Sequence, residues 1–374
     1  MATSPSITIR NVVDIRWGSM ADALLETAIA NWEPRFTANG VDASDYTRIT
    51  RSIERWDEWC AAWSDAADQH LALGDAALAA GHRLSAGEAF ARAATYFHFA
   101  KFLFVHDPDE ANAAHARAVT ALELAAPLLR PPARLVEVPF EGSTLHGVLR
   151  TPRGPGPHPT VVLVAGLDSA KEEFREIERS YLERGMATFA FDGPGQGQGE
   201  IFAIRPDWEV VGRVVVDHLG GLDEVDADRI GLWGVSLGGY YAARIASADL
   251  GLRGVVTLCG PYDVGAAWDH LNDLTRRAFQ VRGHCATLDD ARVRAGDLTL
   301  HEVGSRIAVP MLVIVAKRDR LFSWHDGERL VDDVGANATL MVLEEGNHGG
   351  ANVVYRHRPQ SADWMAERLG VGGH

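Results

Sequence analysis

After the Pro131-Pro132 pair the chain becomes a series of short, wholly apolar runs, and no other feature restricts its fold so tightly. The runs are PTVVLVAG (159–166), MATFAFDG (186–193), RIGLWGV (229–235), LRGVVTLCG (252–260), VPMLVIVAKRD (309–319) and ATLMVLEEG (338–346). A strand with one face in water alternates polar and apolar residues, so a strand without polar positions must be covered on both faces. The stretches KEEFREIERSYLERG (171–185), WEVVGRVVVDHLGGL (208–222) and GGYYAARIASADLG (238–251) read as the covering helices and lie between the runs. Strands alternating with helices imply a mainly parallel, doubly covered sheet of the α/β class. Ahead of them, ARLVEVPFEGSTLHGVLRTP (133–152) alternates like two strands that turn at Glu141-Gly142. One connection, 263–308, is too long for an ordinary crossover. Its DVGAAWDHLNDLTRRAFQVRG and LDDARVRAGDLTL read as helices, which makes it a helical cap inserted over the sheet edge.

Residues 1–130 read differently. ADALLETAIANWEPRF (21–36) and DYTRITRSIERWDEWCAAWSDAADQHLALGDAALAAG (45–81) carry apolar residues at three- and four-residue spacing, as amphipathic helices do. SAGEAFARAATYFHFAKFLF follows, with Ser85 placed to cap a helix and Glu88 three residues on. DPDEANAAHARAVTALELAAPLL opens on Asp107 and Pro108, a start signal, and stops at RPPAR. Five of the ten tryptophans lie within the first 63 residues, which predicts a buried interface there. The stripe Tyr96, Phe99, Phe102, Leu103 reads as helix core. At 374 residues the chain suits an N-terminal helical (cap or lid) domain, 1–130, on a catalytic domain, 131–374.

Ligands of a parallel sheet bind at the carboxyl ends of its strands. What stands at those ends here is Leu167 and Asp168 after VVLVAG, DGPGQGQG after FAF, Ser236 after LWGV, Asp319 after VIVAKR, and His348 after LMVLEEGN. Serine, acid and histidine in that chain order, each at a strand end, with the serine in GVSLG between a strand and a helix, are the pattern of the α/β-hydrolase fold. A serine hydroxyl is a poor nucleophile until a base takes its proton, a role that falls to His348. Asp319 would hold the imidazole in one tautomer and stabilise its cation, with Asp326 as a nearby competitor. Gly234 and Gly238 permit the tight turn. The N–H groups of Leu237 and Leu167 are the expected oxyanion donors. His348 stands out among the histidines by its position after the last strand; His357 and His374 read as surface residues. DGPGQGQG lacks the Lys-Ser/Thr of a phosphate loop.

The segments GLDSAKEEF, YLERGMATFAFDGPGQGQGE, GVSLGGYYAARIA, VPMLVIVAKRD and EEGNHGG together resemble a branch of α/β hydrolases with an N-terminal helical domain. That branch includes the hydrolase of 2,6-dihydroxypseudooxynicotine and the fungal yellowish-green pigment hydrolases that shorten polyketide chains. The resemblance implies a fold of this kind, a nucleophile, acid and base at Ser236, Asp319 and His348, and hydrolysis of a carbon–carbon bond next to a ketone. Where the nicotine-pathway member has an acidic residue thought to help with substrate, this chain reads GPYDVGAAWDHLND, with Asp263 and Asp269 as stand-ins.

The remaining features exclude more than they assign. A net charge of −15 argues against nucleic-acid and anionic-membrane partners, which require a basic face. The three cysteines, Cys60, Cys259 and Cys285, have no metal-ligand spacing, no HExxH occurs, and neither a metal nor a cofactor is expected. No apolar core of a signal peptide and no membrane-length run is visible, so a cytoplasmic location is expected. The expected partner is a small-molecule substrate, aromatic or polyketide-like, with Tyr262, Trp268, Phe322 and Trp324 as candidate pocket residues and a homodimer as the quaternary expectation. Two alternatives stand beside C–C hydrolysis. One is an esterase, lactonase, acyltransferase or cyclase on the same fold. The other is a helical-repeat interaction protein with an inactive hydrolase domain, although only one tetratricopeptide-like hairpin is visible and solenoids need several repeats.

Overall fold

A computed structural model describes residues 18–372; Trp17 and His374 lie outside the described residues. Five helices come first: α1 (Gly18–Ala38), α2 (Ala43–Ser52), α3 (Trp59–Ala79), α4 (Arg83–Lys101) and α5 (Pro108–Ala125). The long predicted helix 45–81 is broken between α2 and α3. Ile53 and Arg55 are extended, and the Glu58 carboxylate accepts the N–H groups of Glu54 and Arg55. Helix α4 begins at Arg83, so Ser85 lies inside its first turn and caps nothing. Asp107 does cap α5, accepting the N–H groups of Asp109 and Glu110, with Pro108 in the first turn.

The strands and helices that follow are β1 (Ala133–Phe140), β2 (Ser143–Arg150), β3 (His158–Val164), α6 (Arg175–Leu182), β4 (Ala187–Phe191), α7 (Trp208–Gly220), β5 (Val225–Val235), α8 (Leu237–Ala246) and β6 (Gly254–Leu258). Then come α9 (Val264–Ala267), α10 (Asp273–Arg282), α11 (Leu288–Gly296), β7 (Met311–Ala316), α12 (His325–Val334), β8 (Ala338–Leu343) and α13 (Val354–Arg368). They form one eight-stranded sheet in the order β1-β2-β4-β3-β5-β6-β7-β8. The pairs β1/β2 and β2/β4 are antiparallel and all others parallel, as the apolar runs require. Strands β3, β4, β6 and β7 are buried at every position, which is why they carry no polar alternation.

The N-terminal helices share a core with the sheet. One apolar cluster runs from Leu24 on α1, through Trp59, Trp63 and Phe99, to Trp208 and Val334. Within it Phe36 stacks on Phe99 with ring centres 3.8 Å apart, and Trp59, Trp63, Tyr46 and Phe102 surround the pair. Tyr96, Phe99, Phe102 and Leu103 are all buried in this cluster, as core residues. At the other end of the chain, the Arg358 guanidinium donates to the Ala38 carbonyl and the Asn39 side chain, at 2.9 and 2.7 Å.

Candidate active site

Strand β5 enters a turn at Ser236 and leaves it as α8. Ser236 has φ 57° and ψ −130°, a conformation that costs a non-glycine residue of order 1–3 kcal/mol and persists only where its surroundings impose it. The surroundings here are backbone. A Cβ at Gly234 would come within 2.1 Å of the Gly238 carbonyl oxygen, and one at Gly238 within 2.2 Å of the Val164 carbonyl oxygen. The two glycines let strand, turn and neighbouring strand close on one another, and the serine side chain is left facing the cavity above the sheet.

Two more strand ends complete the arrangement. His348 follows β8 and places Nε2 2.8 Å from Ser236 Oγ. Asp319 follows β7 and places Oδ2 2.7 Å from His348 Nδ1. Its Oδ1 accepts the N–H groups of Leu321 and Phe322. With Nδ1–H donated to the carboxylate, Nε2 is left to accept from the serine hydroxyl. Asp326 is otherwise engaged: its carboxylate accepts the Tyr262 N–H at 3.1 Å. Cys259 lies beside Asp319, and burial, aided by that carboxylate, pushes its thiol well above the usual range.

Leu167 and Leu237 line one cavity together with Ser236 and His348, and among the described residues neither N–H donates to a turn or loop carbonyl. The loop that carries Leu167 is held from below. Gln196, in DGPGQGQG, donates to the carbonyls of Ala165 and Gly166 and accepts the Gly193 N–H. Asp192 accepts the Lys171 and Gln198 N–H groups, so this glycine-rich segment braces the sheet top from inside.

Three adjoining cavities, of about 470, 600 and 1140 Å³, share Arg35 and His348 in their walls. The smallest is largely apolar and includes Trp32, Leu271, Phe279 and Phe322; the largest lies between α1 and the loop at Arg318 and Arg320. Of the candidate pocket residues, Phe322 is in place, its ring 5.7 Å from that of His348. Tyr262 and Trp268 are not: both are buried outside these cavities. The Tyr262 hydroxyl donates to Asp333, and Trp268 packs edge-on against Phe279. Asp263 caps α9 and Asp269 pairs with Arg292 at the surface, so neither stand-in reaches Ser236. His357, expected at the surface, is buried against Gly350, with its pKa lowered to about 4 by burial and by Arg358.

Arg35 was not singled out in the sequence. Its guanidinium grips Glu173 at both oxygens (2.7 Å each) and donates to Asp168 at 2.9 Å. Burial works against that charge, and the two carboxylates override it, so the pKa is raised; Arg35 in turn lowers that of buried Glu173. No local signal marks such a residue, because its partners lie more than 130 positions away. A second buried ionic group lies below. His115, Glu172 and Asp192 converge as a metal site would, yet the Lys171 ammonium, 2.7 Å from both carboxylates, already supplies the opposing charge.

A strained serine at a strand-to-helix turn, followed in the chain by Asp319 and His348 at later strand ends of a mainly parallel sheet, defines an α/β hydrolase. The chain belongs to the esterase FrsA-like family, whose profile matches residues 53–369. It is 34% identical to the 2,6-dihydropseudooxynicotine hydrolase of Paenarthrobacter nicotinovorans over 351 residues, 93% of this chain and 94% of that one. The crystal structure of the 2,6-dihydroxy-pseudo-oxynicotine hydrolase superposes with a TM-score of 0.84, covering 91% of this chain and 96% of the other at 34% identity. The 20-hydroxy-prefusarin hydrolase FUS2 of Gibberella moniliformis is 35% identical over 224 residues, 56% of this chain and 53% of that protein. AbyA5 shares the fold at 18% identity, with a TM-score of 0.70 over 94% of this chain. Among the described residues no helix is long and apolar enough to cross a membrane.

Proposed function

We propose that Ser236, His348 and Asp319 act as nucleophile, base and orienting acid, and that the bond cleaved is a carbon–carbon bond beside a ketone in an aromatic or polyketide-like small molecule. The observation that carries the reading is the unbroken contact Asp319–His348–Ser236, at 2.7 and 2.8 Å, inside an enclosed and largely apolar space. The serine proton passes to His348 Nε2 as Oγ bonds to the carbonyl carbon. The N–H groups of Leu167 and Leu237 receive the oxyanion. Its collapse breaks the carbon–carbon bond, and the electron pair leaves on carbon, delocalised into a ring or second carbonyl. The proton held on His348 quenches it. Water, activated by the same imidazole, then releases the acyl group from Ser236 as a carboxylic acid.

A carbanion leaving group gains from cover, since a site closed to bulk water strengthens its electrostatic contacts and limits side reactions. Helices 1–130 and the insertion 263–308 supply that cover on a catalytic domain 131–374. The branch resemblance and the long alignment to a hydrolase named for a ketone-bearing nicotine derivative support this bond type. The family description favours a second reading, hydrolysis or acyl transfer at an ester or lactone. We place the enzyme in the cytoplasm, as a homodimer.

The test is a comparison of kcat/KM for aryl 1,3-diketones and acylphenols against short p-nitrophenyl esters. Diketone cleavage that depends on Ser236 supports the reading. Ester turnover faster by several orders of magnitude, with no detectable diketone cleavage, leaves the esterase.

A further inference from the structure

We propose that Arg35, on the N-terminal helix α1, is a positioning residue for the oxyanion site, so that this helix takes part in setting the catalytic geometry as well as covering it. The inference rests on the reading of Ser236 as nucleophile and of the Leu167 N–H as an oxyanion donor.

Leu167 is followed directly by Asp168 and Ser169, and the loop ends in the single helical turn Lys171–Glu173. The upper side of this loop is held by α1 and α4. Arg35 Nη1 donates to Asp168 Oδ1 at 2.9 Å, one residue from the proposed donor. Arg35 Nε and Nη2 hold both oxygens of Glu173 at 2.7 Å. Glu173 also accepts from Ser169 Oγ and from Asn39 Nδ2, each at 2.6 Å, and meets His98 Nε2 at 3.2 Å. The Arg35 guanidinium lies over the Phe102 ring, 4.7 Å from its centre, which fixes its plane. Two of the loop's ties on this side, Asp168 and Glu173, run to a single guanidinium; Asn39 and His98 also hold Glu173, and Thr95 Oγ1 donates to the Glu172 carbonyl.

A planar fork with several donors can hold two carboxylates at a set angle; a lysine ammonium cannot. An oxyanion donor acts only if it meets the developing charge at about 2.7–3.1 Å, and removing one such donor costs about 100- to 1,000-fold in kcat. Displacing it by a fraction of an ångström costs part of that. Arg35 also forms part of the wall of every cavity that contains His348, so a plain substrate contact is the competing role. The two roles separate kinetically. A substrate contact acts on ground state and transition state alike and raises KM. A misplaced oxyanion donor lowers kcat and leaves KM in place.

The experiment compares Arg35→Lys and Asp168→Asn with the parent in the full-length protein. Asp168→Asn keeps the buried Arg35–Glu173 pair and serves if Arg35→Lys does not fold. Each is assayed on a turned-over ester, and its Ki is measured for a trifluoromethyl ketone, which forms an oxyanion adduct, and for the corresponding methyl ketone. We expect kcat to fall about 10- to 100-fold with KM within about threefold, and the trifluoromethyl ketone Ki to rise in parallel while the methyl ketone Ki stays constant. A rise in KM and in both Ki values together, or no change in either variant, overturns the proposal. Fluorophosphonate labelling of the parent at Ser236 is run alongside. Labelling there with unchanged variants refutes the role of Arg35 alone, whereas no labelling at Ser236 refutes the nucleophile reading beneath it.

Discussion

The Asp319 carboxylate meets His348 Nδ1 at 2.7 Å with one oxygen while its other oxygen is tied to the backbone at Leu321 and Phe322. The acid is thus fixed by its own loop before the histidine reaches it, and the imidazole can turn neither ring nor tautomer without losing that contact. Asp326, the nearest alternative, spends its carboxylate on the Tyr262 N–H. Asp319→Asn is expected to lower kcat about 1,000- to 10,000-fold, as the loss of an orienting acid does elsewhere. Asp326→Asn retains an acceptor for Tyr262 and is expected to stay within about threefold of the parent. Steady-state kinetics on both variants decides, and the reverse ranking would move the acid to Asp326.

Ser236→Ala should abolish fluorophosphonate labelling and reduce turnover at least about a thousandfold while the melting temperature holds, because the side chain faces a cavity instead of the core. His348→Ala should match it. The double variant should be little worse than either single one, since groups that act as one unit are non-additive. Additive losses would show that His348 is not the partner base.

A fragment 131–374 should be insoluble or inactive. Leu24, Trp59, Trp63 and Phe99 belong to the same apolar cluster as residues of the sheet's helices, and removing 1–130 would expose the opposite wall as a large apolar patch. Size-exclusion chromatography with active-site labelling tests this. A monodisperse fragment with full activity would establish the helices as an independent module.

His357 gives a pH dependence of stability. Its pKa is about 4 in the folded protein, against an ordinary value near 6.5 in the unfolded chain. Between those values the unfolded state binds the proton and the folded state does not, so stability rises with pH from about 4 to 6.5 and is lost as the pH falls. The slope from this one group reaches up to about 1.4 kcal/mol per pH unit. In His357→Gln the part of the slope due to this group should vanish, while the plateau above pH 7 shifts little. Denaturant midpoints from pH 4.5 to 7.5 measure it, and an unchanged slope would refute the assignment.

The sheet was legible because burial on both faces leaves β3, β4, β6 and β7 almost wholly apolar, with His158 and three threonines as the polar exceptions and no polar alternation. The meeting of Ser236, Asp319 and His348 was legible for a related reason, since a parallel sheet delivers all its strand ends to one edge. Arg35 was invisible because its role depends on how α1 docks, and docking leaves no periodicity. Tyr262 and Trp268 misled because aromatic character marks burial as readily as a pocket wall. His357 read as surface because a histidine in a charged helix carries no sign of which face turns inward. Ser85 fits the spacing of a cap, but α4 has already begun at Arg83.

The clasp between Arg358 of α13 and the end of α1, at Ala38 and Asn39, ties the last helix of the chain to the first described one. Helix α1 is translated early and Phe36 meets the rings of α2–α4, yet the rest of its seat is built from loop 166–173, from Arg320, and from the segment 348–358. On the ribosome this polar part of the docking must wait until almost the whole polypeptide has emerged. A product that ends before His348 therefore lacks both the proposed base and the clasp on α1.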